Sequence, residues 1–222
     1  TERGRGFRIA AIALVAAVAV QGVLGALRVT EESTALRVVH GFIAQVFFAA
    51  LVGFAVTLSG AWVAPTRLEP EPVLRKYKLF ATMALHSCLL QHLLGAMYRH
   101  MKYGGSSGVS HVLYTHAAVA LVVFVASIVA VIIGSSAARA AGGLGPAIRT
   151  WTARGGVFVS IQFLLGWAAF FAVSHDKGVL TSPSPITATI TTAHQANGAL
   201  LLGSLTVMWL LARRAWKATD RA

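Results

Sequence analysis

The chain has 222 residues, 56% of them apolar and only 12% charged, with a mean hydropathy of +0.70 and a formal charge of +12. Soluble domains run at about a quarter charged residues, so this balance excludes a water-soluble globular protein and describes a chain that lives in a bilayer. The cationic excess suits anionic lipid headgroups; nucleic acid is excluded as a partner because no soluble basic face is left to bind it.

A helix needs roughly 20 apolar residues to cross the hydrocarbon core. Six stretches qualify, at approximately 7–29, 37–64, 78–101, 109–134, 150–174 and 186–212. Arg3, Arg5 and Arg8 precede the first as they would precede a secretory signal. Its apolar run is too long for a signal's core, so it reads as a retained helix. Pro65, Pro70 and Pro72 lie in the charged run Pro65–Lys78, which separates the second span from the third. Gly104, Gly105 and Gly108 follow the third, Gly142 to Pro146 follow the fourth, and Pro183 and Pro185 precede the sixth. Such breakers mark loops. The predicted fold is an all-α polytopic membrane protein of three hairpins. Residues 1–66 form the first transmembrane hairpin, 67–78 a cytoplasmic loop, and 79–222 a four-helix C-terminal half.

Basic residues set the orientation. Arg3, Arg5, Arg8, Arg67, Arg75, Lys76, Lys78, Arg139, Arg149, Arg154, Arg213, Arg214, Lys217 and Arg221, 14 of the 19 Lys and Arg, fall at the termini and in the second and fourth loops. By the positive-inside rule both termini are cytoplasmic.

One pattern recurs three times. Gln21-Gly-Val-Leu-Gly25, Gln91-His-Leu-Leu-Gly95 and Gln162-Phe-Leu-Leu-Gly166 begin 70 and 71 residues apart, each near the end of an odd-numbered span. A histidine near the start of the next span follows each copy: His40, His116 and His194. Internal repeats fix architecture before any single motif does. The orientation puts the three histidines at the outer ends of spans two, four and six. Ionisable side chains inside spans are costly and face a bundle interior or cavity, where they serve a ligand, a proton path or a partner.

Imidazoles at matched depth on facing helices suggest haem, whose iron takes neutral histidine as an axial ligand. His116 lies 19 residues before Ser135, and His194 lies 19 before Arg213. His111 would sit further into the outer loop, so His116 is the better partner for His194. Gly41, Ala117, Ala118 and Gly198 around the histidines, with Gly25, Gly95 and Gly166 opposite, would let a flat macrocycle approach the backbone. The plainer role for such glycines is helix packing, and a lone intramembrane histidine commonly satisfies only an interhelical hydrogen bond. His40 is a candidate second haem ligand, with ligation and simple hydrogen bonding in balance. Arg28 and Arg99 are candidate propionate contacts through charge-assisted bonds, and snorkelling to the headgroups accounts for them equally well.

The remaining groups are weaker candidates. His86 and His92 are six residues apart and face different sides of their helix. His100, His111 and His175 fall at or beyond outer helix ends, within reach of water. Cys88 is the one cysteine, so the chain alone builds neither a disulfide nor a thiolate metal site. The acidic residues Glu2, Glu31, Glu32, Glu69, Glu71, Asp176 and Asp220 all lie in loops or termini, which argues against a carboxylate pathway.

Three segments together resemble a known family. They are Gln21-Gly-Val-Leu-Gly-Ala-Leu-Arg-Val-Thr30 with His40-Gly-Phe-Ile-Ala, then Gln91-His-Leu-Leu-Gly-Ala-Met-Tyr-Arg-His100 with His116, and His194-Gln-Ala-Asn-Gly-Ala-Leu-Leu. They are similar to the helix-pair signatures of the heme A synthase family of cytochrome oxidase assembly enzymes, and the likeness spans nearly the whole chain. The resemblance implies two four-helix halves, each holding a haem between two histidines. One haem transfers electrons, and at the other site a methyl of heme O is oxidised to the formyl of heme A. Spans three to six would be the C-terminal half, with His116 and His194 as axial ligands to the iron of haem B. Spans one and two would be the second pair of the N-terminal half, with His40 as one ligand of the substrate haem.

The chain departs from the family at its first hairpin, whose opposing histidine and catalytic glutamate have no counterpart before Thr1. The extracellular cysteine pair found in some members is also missing, and no catalytic residue is assigned. A start on threonine raises the expectation of an upstream segment, in this chain or in another polypeptide; a natural six-helix relative that has lost the enzyme site is the alternative. The resemblance implies a bacterial inner membrane protein, with heme O or heme A as substrate or product and terminal oxidase assembly factors or other membrane subunits as partners. A b-type electron-transfer subunit and a structural subunit of a respiratory or photosynthetic complex are the alternative readings.

Overall fold

The computed structural model describes residues 2–63, 69, 71–103, 107–176 and 183–219. Six long helices account for nearly all of them: α1 (Glu2–Thr30), α2 (Thr34–Leu58), α3 (Pro72–Tyr103), α4 (Val109–Ala140), α5 (Gly145–His175) and α6 (Pro185–Thr219). A four-residue helix, Gly60–Val63, follows α2, and a 3-10 turn, Gly142–Leu144, joins α4 to α5. All six long helices contain spans long and apolar enough to cross a membrane. Even α2, the shortest with 25 residues, extends about 37 Å at 1.5 Å per residue, beyond the roughly 30 Å hydrocarbon core. The protein is therefore an all-α polytopic membrane protein, as its composition predicts.

Two loops are shorter than the breaker residues suggest. Pro72, expected in a loop, is instead the first residue of α3, so residues 72–78 are helical. Proline at this position gives up an amide that has no intrahelical partner anyway, and its fixed φ suits the first turn. Residues 135–149 are also mostly helical, broken only at Ala141–Leu144. The run Ala137–Ala141 has high helix propensity, and Pro146 falls in the first turn of α5. Pro65, Pro70, Gly104 and Gly105 lie outside the described residues.

Helices α3 to α6 close a four-helix bundle in which α3 packs on α4, α4 on α5, α5 on α6, and α6 back on α3. The core residues belong to this bundle, and α6 contributes its most continuous run, Leu201 to Met208. The first hairpin attaches through α2, which packs on α3 and α6, while α1 packs chiefly on α2. No residue of α2 is fully buried.

Close approach of helices in lipid relies on small residues, because the tails are as apolar as leucine and only packing discriminates. Helix α4 carries a buried stripe, Ala126, Ala130, Gly134 and Ala138, at four-residue spacing. A Cβ on Gly134 would stand 2.7 Å from Thr152 Oγ1 and 2.9 Å from Tyr77 Cε2, so this glycine sets how near α3 and α5 approach α4. Gly203 does the same for α2, where Phe48 Cε1 would be 3.3 Å from the added carbon.

Candidate functional site

The three sequence repeats fold into one local device, present once in each hairpin. The repeat glycine on the first helix faces the histidine on the second. A Cβ added to Gly25 would lie 3.2 Å from His40 Cε1, one on Gly95 3.1 Å from His116 Cε1, and one on Gly166 3.5 Å from His194 Cε1. The missing side chain is thus the seat of an imidazole edge. These glycines are occupied by their own histidines, a third use beside macrocycle approach and bare helix packing.

The glutamine one turn earlier lies on the same helix face and reaches the same histidine. Gln21 Nε2 donates to the His40 carbonyl at 2.8 Å. Gln91 Nε2 donates to the His116 carbonyl at 2.9 Å and lies 3.3 Å from His116 Nε2. Gln162 Nε2 lies 3.2 Å from Nδ1 and 3.3 Å from Nε2 of His194. A buried amide without a partner is expensive in hydrocarbon, so each glutamine ties its helix to the next at the depth of the histidine.

The second and third devices come together across the bundle. His116 and His194 stand with ring centroids 6.4 Å apart and planes inclined at 78°. Asn197, buried one turn beyond His194, donates to the Phe158 carbonyl at 2.9 Å and to Gln162 Oε1 at 2.8 Å. That second bond fixes the Gln162 amide, whose nitrogen is left to face His194.

His92 lies nearer the pair than its sequence position suggests. Its Nδ1 donates to the Cys88 carbonyl at 2.8 Å, which leaves Nε2 as the lone-pair nitrogen. A Cβ on Gly198 would be 3.5 Å from this Nε2 and 3.2 Å from Gln162 Nε2. His92 is also within electrostatic reach of both His116 and His194. The repeat held the signal for it, since the other copies carry Gly22 and Phe163 at the equivalent place. Asn197 had a signal too, as a polar side chain one turn past a candidate ligand on a membrane span.

The device leaves bonding capacity unused. His40 Nδ1, His116 Nδ1, Gln21 Oε1 and Gln91 Oε1 are buried without a hydrogen-bond partner. Among the described residues no group of three or more His, Cys, Asp or Glu side chains is gathered closely enough to hold a bare metal ion. The one pair of histidine rings in contact among them is His116 with His194, so His40 has no such opposite.

The other expected residues separate. Arg99 donates to Gln195, the residue beside His194, and so lies at the edge of the paired site. Arg28 lines a recess at the α1–α2 turn. His86 is exposed on α3 near Trp209, His111 is exposed at the start of α4, and His175 is exposed beside Phe171. Cys88 is buried with no disulfide partner.

Fold and site together define a polytopic helical membrane protein with a triplicated Gln–Gly–His device and one facing pair of intramembrane histidines. Set against protein-family models, curated proteins and solved structures, the chain matches none of them.

Proposed function

We propose that the C-terminal bundle binds one b-type haem, with His116 and His194 as its axial ligands. The observation that carries this reading is the 6.4 Å between the two ring centroids. Imidazole–metal bonds of about 2 Å on either side of one ion put ring centroids about 6 Å apart. Two imidazoles are also what a haem asks of a protein, because the macrocycle fills the equatorial positions itself. The unpartnered Nδ1 of His116 leaves a ring nitrogen without a protein partner, as a ligand to iron requires. Once bound, the haem supplies a one-electron redox centre. The chain's own residues hold and orient it: the glutamines anchor the histidine-bearing helices, the glycines seat the rings, and Arg99 supplies a cation at the edge for a propionate.

The activity we assign is that of a heme A synthase relative in the bacterial inner membrane, with both termini cytoplasmic and its product destined for terminal oxidase assembly. This assignment draws on the family resemblance and on the first hairpin, where Gln21, Gly25 and His40 repeat the device of the haem-binding half. A second reading, a b-type electron-transfer subunit without substrate chemistry, is favoured by one observation: no histidine ring is set against His40 among the described residues.

The test is a reduced-minus-oxidised spectrum and haem stoichiometry on the purified chain, followed by addition of heme O. One low-spin haem per chain, lost in both His116→Ala and His194→Ala, is expected. A normal low-spin spectrum in both variants would overturn the ligand pair. Conversion of heme O to heme A supports the synthase reading, and its absence supports the electron-transfer one.

A further inference from the structure

We infer that the turn between α1 and α2 is an oxyanion-binding site, built from Arg28 and Arg37 and suited to a phosphate or carboxylate carried by an amphiphile. Arg28 lies in the last turn of α1 and Arg37 is the fourth residue of α2. Only Glu31, Glu32 and Ser33 separate the helices. Glu32 adopts φ +46°, the left-handed region, which turns the chain back on itself. Ser33 then caps α2 by accepting from the Leu36 amide at 3.3 Å. Both arginines thereby line a recess of about 330 Å³, together with Val29 and Glu32. From α3, His100 lies within electrostatic reach of Arg28, Arg37 and Arg99.

Two arginines and one carboxylate, Glu32, line this recess, so its lining carries an excess of positive charge. Arg28 Nε is buried without a hydrogen-bond partner. Among the described residues neither Arg28 nor Arg37 forms an ion pair, with Glu32 or any other carboxylate. Arg37 also stands at the positive end of α2, where a helix favours an anion and disfavours a cation. An oxyanion answers each of these conditions, since it accepts from the guanidinium forks and neutralises both arginines and the helix end. Val29, exposed and lining the same recess, offers an apolar flank along α1 for the rest of an amphiphile.

Two molecules of the bilayer carry such a group, a phospholipid headgroup and a porphyrin with its propionates. The site lies at the α1–α2 turn, and its test does not require the haem of the C-terminal bundle. The detergent-purified chain and its R28Q/R37Q variant are titrated with dihexanoyl-phosphatidylglycerol, with dihexanoyl-phosphatidylcholine as the zwitterionic counterpart. In a second arm, metal-free protoporphyrin IX is compared by fluorescence with its dimethyl ester, so that iron ligation plays no part. In at least one arm the anionic probe is expected to bind about ten-fold more weakly to the variant, while its neutral counterpart is unchanged. The arm that responds names the source of the oxyanion. Anionic binding within about two-fold of the unaltered protein in both arms overturns the site, as does equal loss of charged and neutral probes. If the double variant fails to fold, R37Q alone is read on the same arms by the same criterion.

Discussion

Replacing Gly95 with alanine tests the seating of His116 without removing a proposed haem ligand. The added Cβ would stand 3.1 Å from His116 Cε1, whereas carbon atoms in contact settle at about 3.5–4.0 Å. The ring must therefore retreat by roughly 0.5 Å, or α3 and α4 must part by a similar amount. Metal sites hold their bond lengths to about 0.2 Å, so the displacement exceeds what a shared iron absorbs. Overpacking of this kind costs about 1–3 kcal/mol. Haem affinity should fall about ten-fold, since 1.4 kcal/mol is a factor of ten, and part of the bound haem should become five-coordinate and high-spin. Gly166→Ala is the internal control, because its Cβ would lie at an ordinary 3.5 Å from His194 Cε1. Haem titration followed in the Soret band reads both variants, with thermal melting in detergent as the check on folding. Equal responses from the two glycines, or no response from Gly95→Ala, would refute the seating argument.

Gln162→Leu removes the acceptor for one Asn197 bond and the amide beside His194. It should lower stability by about 1–3 kcal/mol and shift the low-spin electron paramagnetic resonance signal, and an unchanged signal would deny the glutamine a role in placing the ring. Gly145→Ala would bring a Cβ to 2.3 Å from the Ala138 carbonyl oxygen, backbone that cannot rotate away. A destabilisation of about 3 kcal/mol is expected, read as a lowered melting temperature, and an unshifted melt would contradict the tight α4–α5 turn. Reporter fusions after Gly108 should read as external and after Gly143 as cytoplasmic, as the distribution of basic residues requires. The reverse pattern would put the histidine pair at the other leaflet.

The spans were legible in the sequence because crossing a bilayer is a one-dimensional demand, a sufficient length of apolar side chains, and the repeat then grouped six helices into three hairpins. The matched positions of His116 and His194 were legible as well, since depth along a helix follows from counting at a fixed rise. Where a helix begins was less so: Pro72 opens α3, and the alanine-rich end of α4 runs on to within a few residues of α5, because a breaker residue is harmless in a first turn. What the repeat glutamines and glycines do was decided only by the tertiary structure. Their partners lie 15 to 32 residues away on the next helix, and only the crossing of the two helices shows that Gly95 seats His116 or that Gln21 donates to the His40 carbonyl. The same holds for the recess around Arg28 and Arg37 and for the partners of His92 and Asn197, whose positions alone carried a signal in the sequence. Hydropathy selects the residues that enter the membrane, whereas the contacts among polar groups there depend on how closely small residues let the helices approach.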